Sequence, residues 1–513
     1  METDKMTSTY RANLGETQIV VDGKLANEEG EIKKVLAGTS RAYVEDVEML
    51  NGEAHFSGAV VFDLLFVDSE GANHILSEKV DFTGKFENEQ IGPLMKPIFN
   101  VEVIDTKIDA QPDKVNMTAT VGIKLNAIQT QEIDVVASDD NNIQLDKENI
   151  LVKNVVADGR SSFEVKEEYD TKTNIKRVLL NTSHIELKNV SAGTGYFTVE
   201  GNVFVNSVLE IATDEGTSLK NFSETLPFKE EIENELIQKD DEVFAFAFIR
   251  PQDLIVEVLN GEVTEEGVEA NNQTLQVSAT VNVRYIAERD FELQVPTDAF
   301  SMTNKTNLTS ETFLLQKPSK LERFSLTVDG QTIIDDDEPR IAKICAVTNE
   351  HLLVANSVAS DGELTIEGVA YATVVYLTDD DIPTFNSIDL EIPFSNKFNA
   401  MSDFDGEIFV TADIKDVDAK AKKGKEINVS LDVCFLVVGY KTETHVVLKD
   451  IELTEELPQK EYSLEMYIAP KGSTLWDVSK HMLITEDVLL SQNPDLVFPL
   501  ETSKTIVHFV QKV

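Results

Sequence analysis

Over most of the chain, apolar residues recur at every second position, in runs rich in Val, Ile, Phe and Thr. A period of two is the signature of a strand with one face buried. Three of these stretches resemble one another: NGEAHFSGAVVFDLLFVDSEG (Asn51–Gly71), TGYFTVEGNVFVNSVLEIATDEG (Thr194–Gly216) and DGELTIEGVAYATVVYLTDDD (Asp361–Asp381). Aligned on Gly58, Gly201 and Gly368, each continues in alternation and closes in an acidic turn. A second signature follows in each case: VDFTGKF (Val80–Phe86), LPFKEEI (Leu226–Ile232) and IPFSNKF (Ile392–Phe398). A third comes later still: KVNMTATVGIKL (Lys114–Leu125), TLQVSATVNVRY (Thr274–Tyr285) and EINVSLDVCFLV (Glu426–Val437). Three signatures in one order, three times over, predict a triplicated unit.

Turn signals at Asn51-Gly52, Asp329-Gly330 and Asp361-Gly362 separate the runs at spacings expected of antiparallel sandwiches. Glycine inside a strand marks a bulge or a close backbone approach, so Gly58, Gly201 and Gly368 are expected to share one structural role. A helical turn is expected only weakly, near Glu230–Leu236. From Ser463 the alternation breaks. A short strand (Leu464–Ile468) leads through Pro470-Lys471-Gly472-Ser473 into a helix over Thr474–Lys480, with Ser473 placed to cap it. A second helix runs from an N-cap at Thr485 to Gln492, its Glu486 and Asp487 complementing the helix dipole. A last strand covers Thr505–Val510. A core for so small a unit would rest on Trp476, Val478, Val488, Leu489 and Ile506. The expected fold is therefore mainly β: three tandem β-sandwich-like repeats at 1–150, 151–318 and 319–460, then a small α+β (βααβ) domain at 463–513.

Composition narrows the function. The chain has 513 residues, more than one core usually supports. Ninety-two acidic side chains face 45 basic ones, a formal net charge of −47. Such a surface repels phosphate backbones and anionic headgroups, which argues against a nucleic-acid partner. The acidic runs Asp335–Glu338 and Asp379–Asp381 could attract Ca²⁺, but neither has a defined ligand spacing, and solvated turns are the favoured reading. Two cysteines, Cys345 and Cys434, make no disulfide framework and suit a reducing compartment, with Cys434 expected as a buried thiol. Apolar runs such as Cys434–Gly439 fall far short of a membrane span. The first residues lack a signal sequence, so a cytosolic location is expected. The seven histidines show no zinc spacing, and no phosphate-binding loop, nucleophile elbow or dinucleotide fingerprint occurs. Carboxylates are too abundant for any one pair to mark a glycosidase. No enzyme, no cofactor and no metal site is expected, and the body reads as scaffold or interaction surface.

The tail resembles the LysM family. The residues that carry this are Tyr467-Ile468, the run Lys471-Gly472-Ser473-Thr474-Leu475-Trp476-Asp477-Val478-Ser479-Lys480, Leu489-Leu490 and Asn493-Pro494-Asp495-Leu496. The resemblance implies a shallow groove for N-acetylglucosamine-containing glycans or another partner, formed by Lys471, Gly472, Ser473, Thr474, Leu475, Asn493, Pro494, Asp495 and Leu496. Two features depart from the family: Leu483 stands where an inter-helix glycine is usual, and Glu501-Thr502-Ser503-Lys504 replaces a Pro-Gly-Gln-like turn. A triplicated acidic β body with a terminal LysM resembles the spore-coat morphogenetic proteins of the SipL/SpoVID type, with SPOCS-type repeats. That resemblance implies a non-enzymatic adaptor at the forespore surface in the mother-cell cytoplasm, with the coat ATPase SpoIVA and other coat proteins as partners. The alternative is a peptidoglycan-binding protein of the wall or cortex.

Overall fold

The computed structural model describes residues 3–137, 142–171, 173–213, 216–259, 273–316, 320–335, 338–360, 362–380, 383–399, 406–458, 460 and 463–509. Asp336, Asp337 and Asp381 of the two acidic runs, Asp361 of the third turn signal and Val510 lie outside them. The chain is mainly β, with two short α-helices among the described residues.

A first strand set comprises β1 (Thr3–Ala26), β2 (Ile32–Met49), β3 (Glu53–Asp68), β4 (Asn73–Glu87), β5 (Lys96–Gln111) and β6 (Lys114–Val136). They form two antiparallel sheets, in the orders β2-β3-β4 and β1-β6-β5, whose inner faces share one apolar cluster around Phe56, Phe62, Phe82, Met117 and Ile123. A second set follows: β7 (Ile143–Thr171), β8 (Ile175–Ala192), β9 (Tyr196–Thr213), β10 (Gly216–Glu233), β11 (Glu242–Phe248), β12 (Leu254–Leu259) and β13 (Gln273–Ser301). Its sheets run β8-β9-β10 and β11-β13-β12, with β7 also on β13. The third set is β14 (Asn304–Gln316), β15 (Lys320–Ile333), β16 (Ile341–Ser360), β17 (Glu363–Thr378), β18 (Phe385–Asn399), β19 (Glu407–Lys422), β20 (Glu426–Tyr440) and β21 (Thr442–Glu456). Here the sheets are β16-β17-β18, β15-β20-β19 and the pair β14-β21. The expected helical turn at Glu230–Leu236 is instead the end of β10 and a turn. β7 crosses the division expected at 150/151, and β14 pairs with β21 across the one expected at 318/319.

The first two signatures meet in space. Gly58, Gly201 and Gly368 lie directly across from Phe82, Phe228 and Phe394. On the other side each glycine faces the start of a bulge, at Val44/Asp46, Leu187/Asn189 and Val354/Asn356. A Cβ at these glycines would stand 2.3, 2.1 and 2.3 Å from a backbone carbonyl and 2.7 Å from the phenylalanine ring. The aromatic ring covers the gap that the missing side chain leaves.

Two further clusters draw on all three sets. Leu36 and Leu65, Leu179 and Val208, and Cys345 and Val375 meet in one. In the other, the extended ends of β1/β6 and β7/β13 meet β14/β21 through Ile133, Val152, Phe313 and Val447. Between these apolar clusters the sets exchange buried polar contacts. Arg11 of β1 donates to Glu288 of β13 at 3.0 Å and lies over the rings of Phe244 and Tyr440 at 4.7 and 5.6 Å. His184 of β8 is 2.8 Å from the Asp413 carboxylate of β19 and 3.8 Å from that of Glu350. Glu350 also accepts from the Thr182 hydroxyl at 2.7 Å and from Asn206 at 3.1 Å. A bulge between Thr348 and His351, found in β16 but not in β2 or β8, positions Glu350; within it Asn349 takes a left-handed conformation, φ 53°.

Burial alone would lower the His184 pKa, but Asp413 and Glu350 outweigh it and raise the value from 6.5 to about 10. A raised pKa of this kind stabilises the fold fully below about pH 6.5, and that contribution disappears as pH climbs toward about 10. Chemical unfolding should therefore show wild-type stability falling across this window, and His184→Gln should flatten the fall. His184→Ala leaves the Glu350 carboxylate buried without its cation and should cost ~3–5 kcal/mol at pH 7. Gly368→Ala, tested by urea denaturation, should destabilise by ~1–3 kcal/mol because the new methyl overlaps backbone.

Candidate partner-binding site in the terminal unit

The last unit is β22 (Leu464–Ala469), α1 (Leu475–Met482), α2 (Glu486–Gln492) and β23 (Lys504–Phe509), with β22 and β23 antiparallel. Its core is Ala469, Val478, Met482, Ile484, Leu489, Leu500 and Ile506. Of the residues expected in that core, Val478, Leu489 and Ile506 are fully buried, whereas Val488 is exposed and Trp476 faces elsewhere. Thr474, rather than Ser473, caps α1: its hydroxyl accepts from the Asp477 N–H at 3.1 Å, and the Asp477 carboxylate accepts from the Thr474 N–H at 2.9 Å. Thr485 caps α2 in the same way, through the Val488 N–H. Leu483 closes α1 in a left-handed conformation (φ 50°).

The first of the two motif loops is tied to the segment that precedes β23. Gly472, at φ 89°, donates its N–H to Leu500 O at 2.8 Å, and Leu500 N–H donates back to Ser473 O at 3.0 Å. Ser473 is buried, while Lys471, Gly472 and Thr474 face solvent and Leu475 is half-buried against the core. In the second loop Pro494 and Asp495 are exposed and Leu496 packs on the core. Asn493 has a different role. Both hydrogens of its amide are engaged, to Leu489 O at 2.9 Å and Val507 O at 2.8 Å, and its oxygen accepts from Val507 N–H at 3.0 Å. It ties the end of α2 to β23. The exposed residues with side chains on these loops are thus Lys471, Thr474 (its hydroxyl already capping α1), Pro494, Asp495 and the neighbouring Val497.

The contact that fixes this unit on the body was not visible in the sequence. Trp476 Nε1–H donates to the Asp298 carboxylate at 2.9 Å, and the indole packs on Phe300 with ring centroids 5.1 Å apart. Lys480 reaches both Asp298 oxygens at 2.6 Å. A register shift in β13 between Pro296 and Asp298 turns that carboxylate outward. Burial alone would raise the Asp298 pKa, but Lys480, Trp476 and the Ala299 N–H together hold it below the ordinary carboxylate range. Lys480, Trp476 and Asp298 form a clamp at neutral pH.

Residues 31–121 match the family model described as "SipL, SPOCS domain". The match begins at β2, takes in Gly58 and Phe82, and ends inside β6, covering less than a fifth of the chain. Neither the curated proteins nor the solved structures yield a match.

The chain has one tryptophan, so its emission reports the docked state. Asp298→Asn should weaken docking by ~1–2 kcal/mol, the scale of a part-exposed charged hydrogen bond. The measurable result is a red shift of Trp476 emission and greater acrylamide quenching. An unchanged spectrum would mean that the clamp contributes nothing.

Proposed function

We propose that this chain is a sporulation-related coat protein of the SipL/SpoVID type that works as a non-enzymatic adaptor. The observation that carries the reading is the SPOCS-domain match at residues 31–121. Three copies of one sandwich-like domain, near 1–150, 151–318 and 319–460, make up the body, and 463–513 is a LysM domain. In this reading the adaptor resides in the mother cell at the forespore surface. It binds the coat ATPase SpoIVA, in part through the loops at Lys471–Thr474 and Pro494–Val497, and helps to hold the coat in place. Two features favour a protein over a glycan at those loops. The Asn493 amide hydrogens are already engaged inside the unit, and the exposed set combines a cation, an anion and an apolar side chain. Several weak contacts from one chain also suit lattice assembly through avidity.

Purified chain should be retained on an immobilised SpoIVA-like protein and not on peptidoglycan. The paired reversal Lys471→Glu with Asp495→Lys should reduce that retention at least tenfold while Trp476 emission stays as in the wild type. Retention on peptidoglycan alone would overturn the adaptor reading in favour of a wall or cortex glycan binder.

A further inference from the structure

The three strand sets do not close completely on one another. A cavity of about 370 Å³ lies where they meet, walled by Ala42–Val44 of the first set, Ile185–Leu187 and Ala245–Phe248 of the second, and Arg323–Ser325 of the third. A second chamber of about 340 Å³ lies beside it and shares Ala42, Tyr43, Val101, Phe248, Ala412 and Asp413 as lining. Volumes of this size lie in the range of small-molecule sites, and the walls have the usual form: largely apolar with a few polar groups.

Charges around the space are unequally matched. Its carboxylates are already paired, Glu186 with Lys415 at 2.6 Å and Asp413 with His184 at 2.8 Å. Its guanidiniums are not. Arg284 lies over Phe248 at 5.3 Å and donates one Nη2–H to Val44 O at 3.3 Å, while its Nε is buried with no partner among the described residues. Arg323 donates Nε–H to Leu187 O at 3.2 Å. Neither arginine has a salt bridge among the described residues, in a chain with 92 acidic side chains against 45 basic ones. Burial pulls both below the ordinary arginine value; Arg160 adds to the effect at Arg284, and Asp46 and Glu186 offset only part of it. Arg284, with its Nε buried, is costly to leave without an anion, whereas Arg323 is exposed at the mouth; a planar guanidinium is suited to receive two anionic oxygens.

We infer that the cavity between the strand sets is a binding site for an anionic amphiphile, with its oxygen head group on Arg284 and Arg323 and its apolar body along Val44, Phe246 and Phe248. The ligand would touch all three sets at once, so its binding free energy would add directly to the stability of their assembly.

The test is calorimetric titration and thermal unfolding of the full chain with four probes of one chain length, below their micelle concentrations: decanoate, decyl phosphate, decanol and decylamine. Decanoate or decyl phosphate should bind one per chain and raise Tm by several degrees, and comparison of the two identifies the preferred head group. Decanol should bind at least tenfold more weakly, and decylamine should leave Tm unchanged. Arg284→Met should abolish the preference for an anion over the alcohol, and Arg284→Lys should retain part of it. Should Arg284→Met not fold, Arg323→Met on the open side of the cavity provides the same comparison. Cys434 lines the cavity, so decanoate should also slow its alkylation in a Cys345→Ser background. Equal affinity for decanoate and decanol, an anion preference that survives both arginine changes, or no binding by any probe would overturn the site. None of these readouts involves a coat partner, so each is independent of the adaptor reading.

Discussion

The body depends on charged groups that are buried between strand sets and find their partners only across them. Arg11 and Glu288, with side chains 6% and 1% exposed, come from different sets and lie beside Tyr440 of a third. Glu350 is held by His184, Thr182 and Asn206, all from the neighbouring set. A charge buried without its partner costs several kcal/mol, so a set separated from its neighbours would carry that penalty in full. Apolar clusters shared by all three sets add a non-directional attraction, and the ion pairs determine which faces may meet. The order of the sets is thereby specified: positions equivalent in register carry different residues. Ile128, Glu288 and Tyr440 stand at the same offset beyond the start of the third signature, and the Arg11 cation suits only the arrangement in which they face it.

Against this body the terminal unit is a minor partner energetically, with a core of seven buried side chains. It gains position from one carboxylate. Asp298 engages Trp476 and Lys480 on α1 and leaves the motif loops on the solvent side.

Much of the fold was legible because alternation is local: a strand's inward face is written in its own residues, and a period of two survives any tertiary context. The recurrence of Gly58, Gly201 and Gly368 marked one shared backbone role, a bulge or close approach, while the phenylalanine that faces each of them emerged only from the strand register. Other features had no local mark. Nothing in the stretch from Pro296 to Phe300 announces a clamp, because Asp298 acquires its role from a bulge and from residues far along the chain. Trp476 belongs to a LysM-like motif, yet its indole lies on Phe300 of the body rather than in its own unit. The additional bulge that delivers Glu350 had only one faint signal, an asparagine, the kind of residue that tolerates a left-handed conformation.

By itself, then, the sequence determined the β character of the body, the threefold recurrence of its signatures, the βααβ order of the tail and the acidic surface. Each of these follows from composition or from spacing within a few residues. The tertiary structure alone decided which polar residues become buried partners, where the terminal unit rests, and that a cavity remains between the sets with two guanidiniums on its wall. Those outcomes depend on the relative placement of distant strands, and burial, which sets the strength of every charge in this molecule, is a property of that placement and not of any segment.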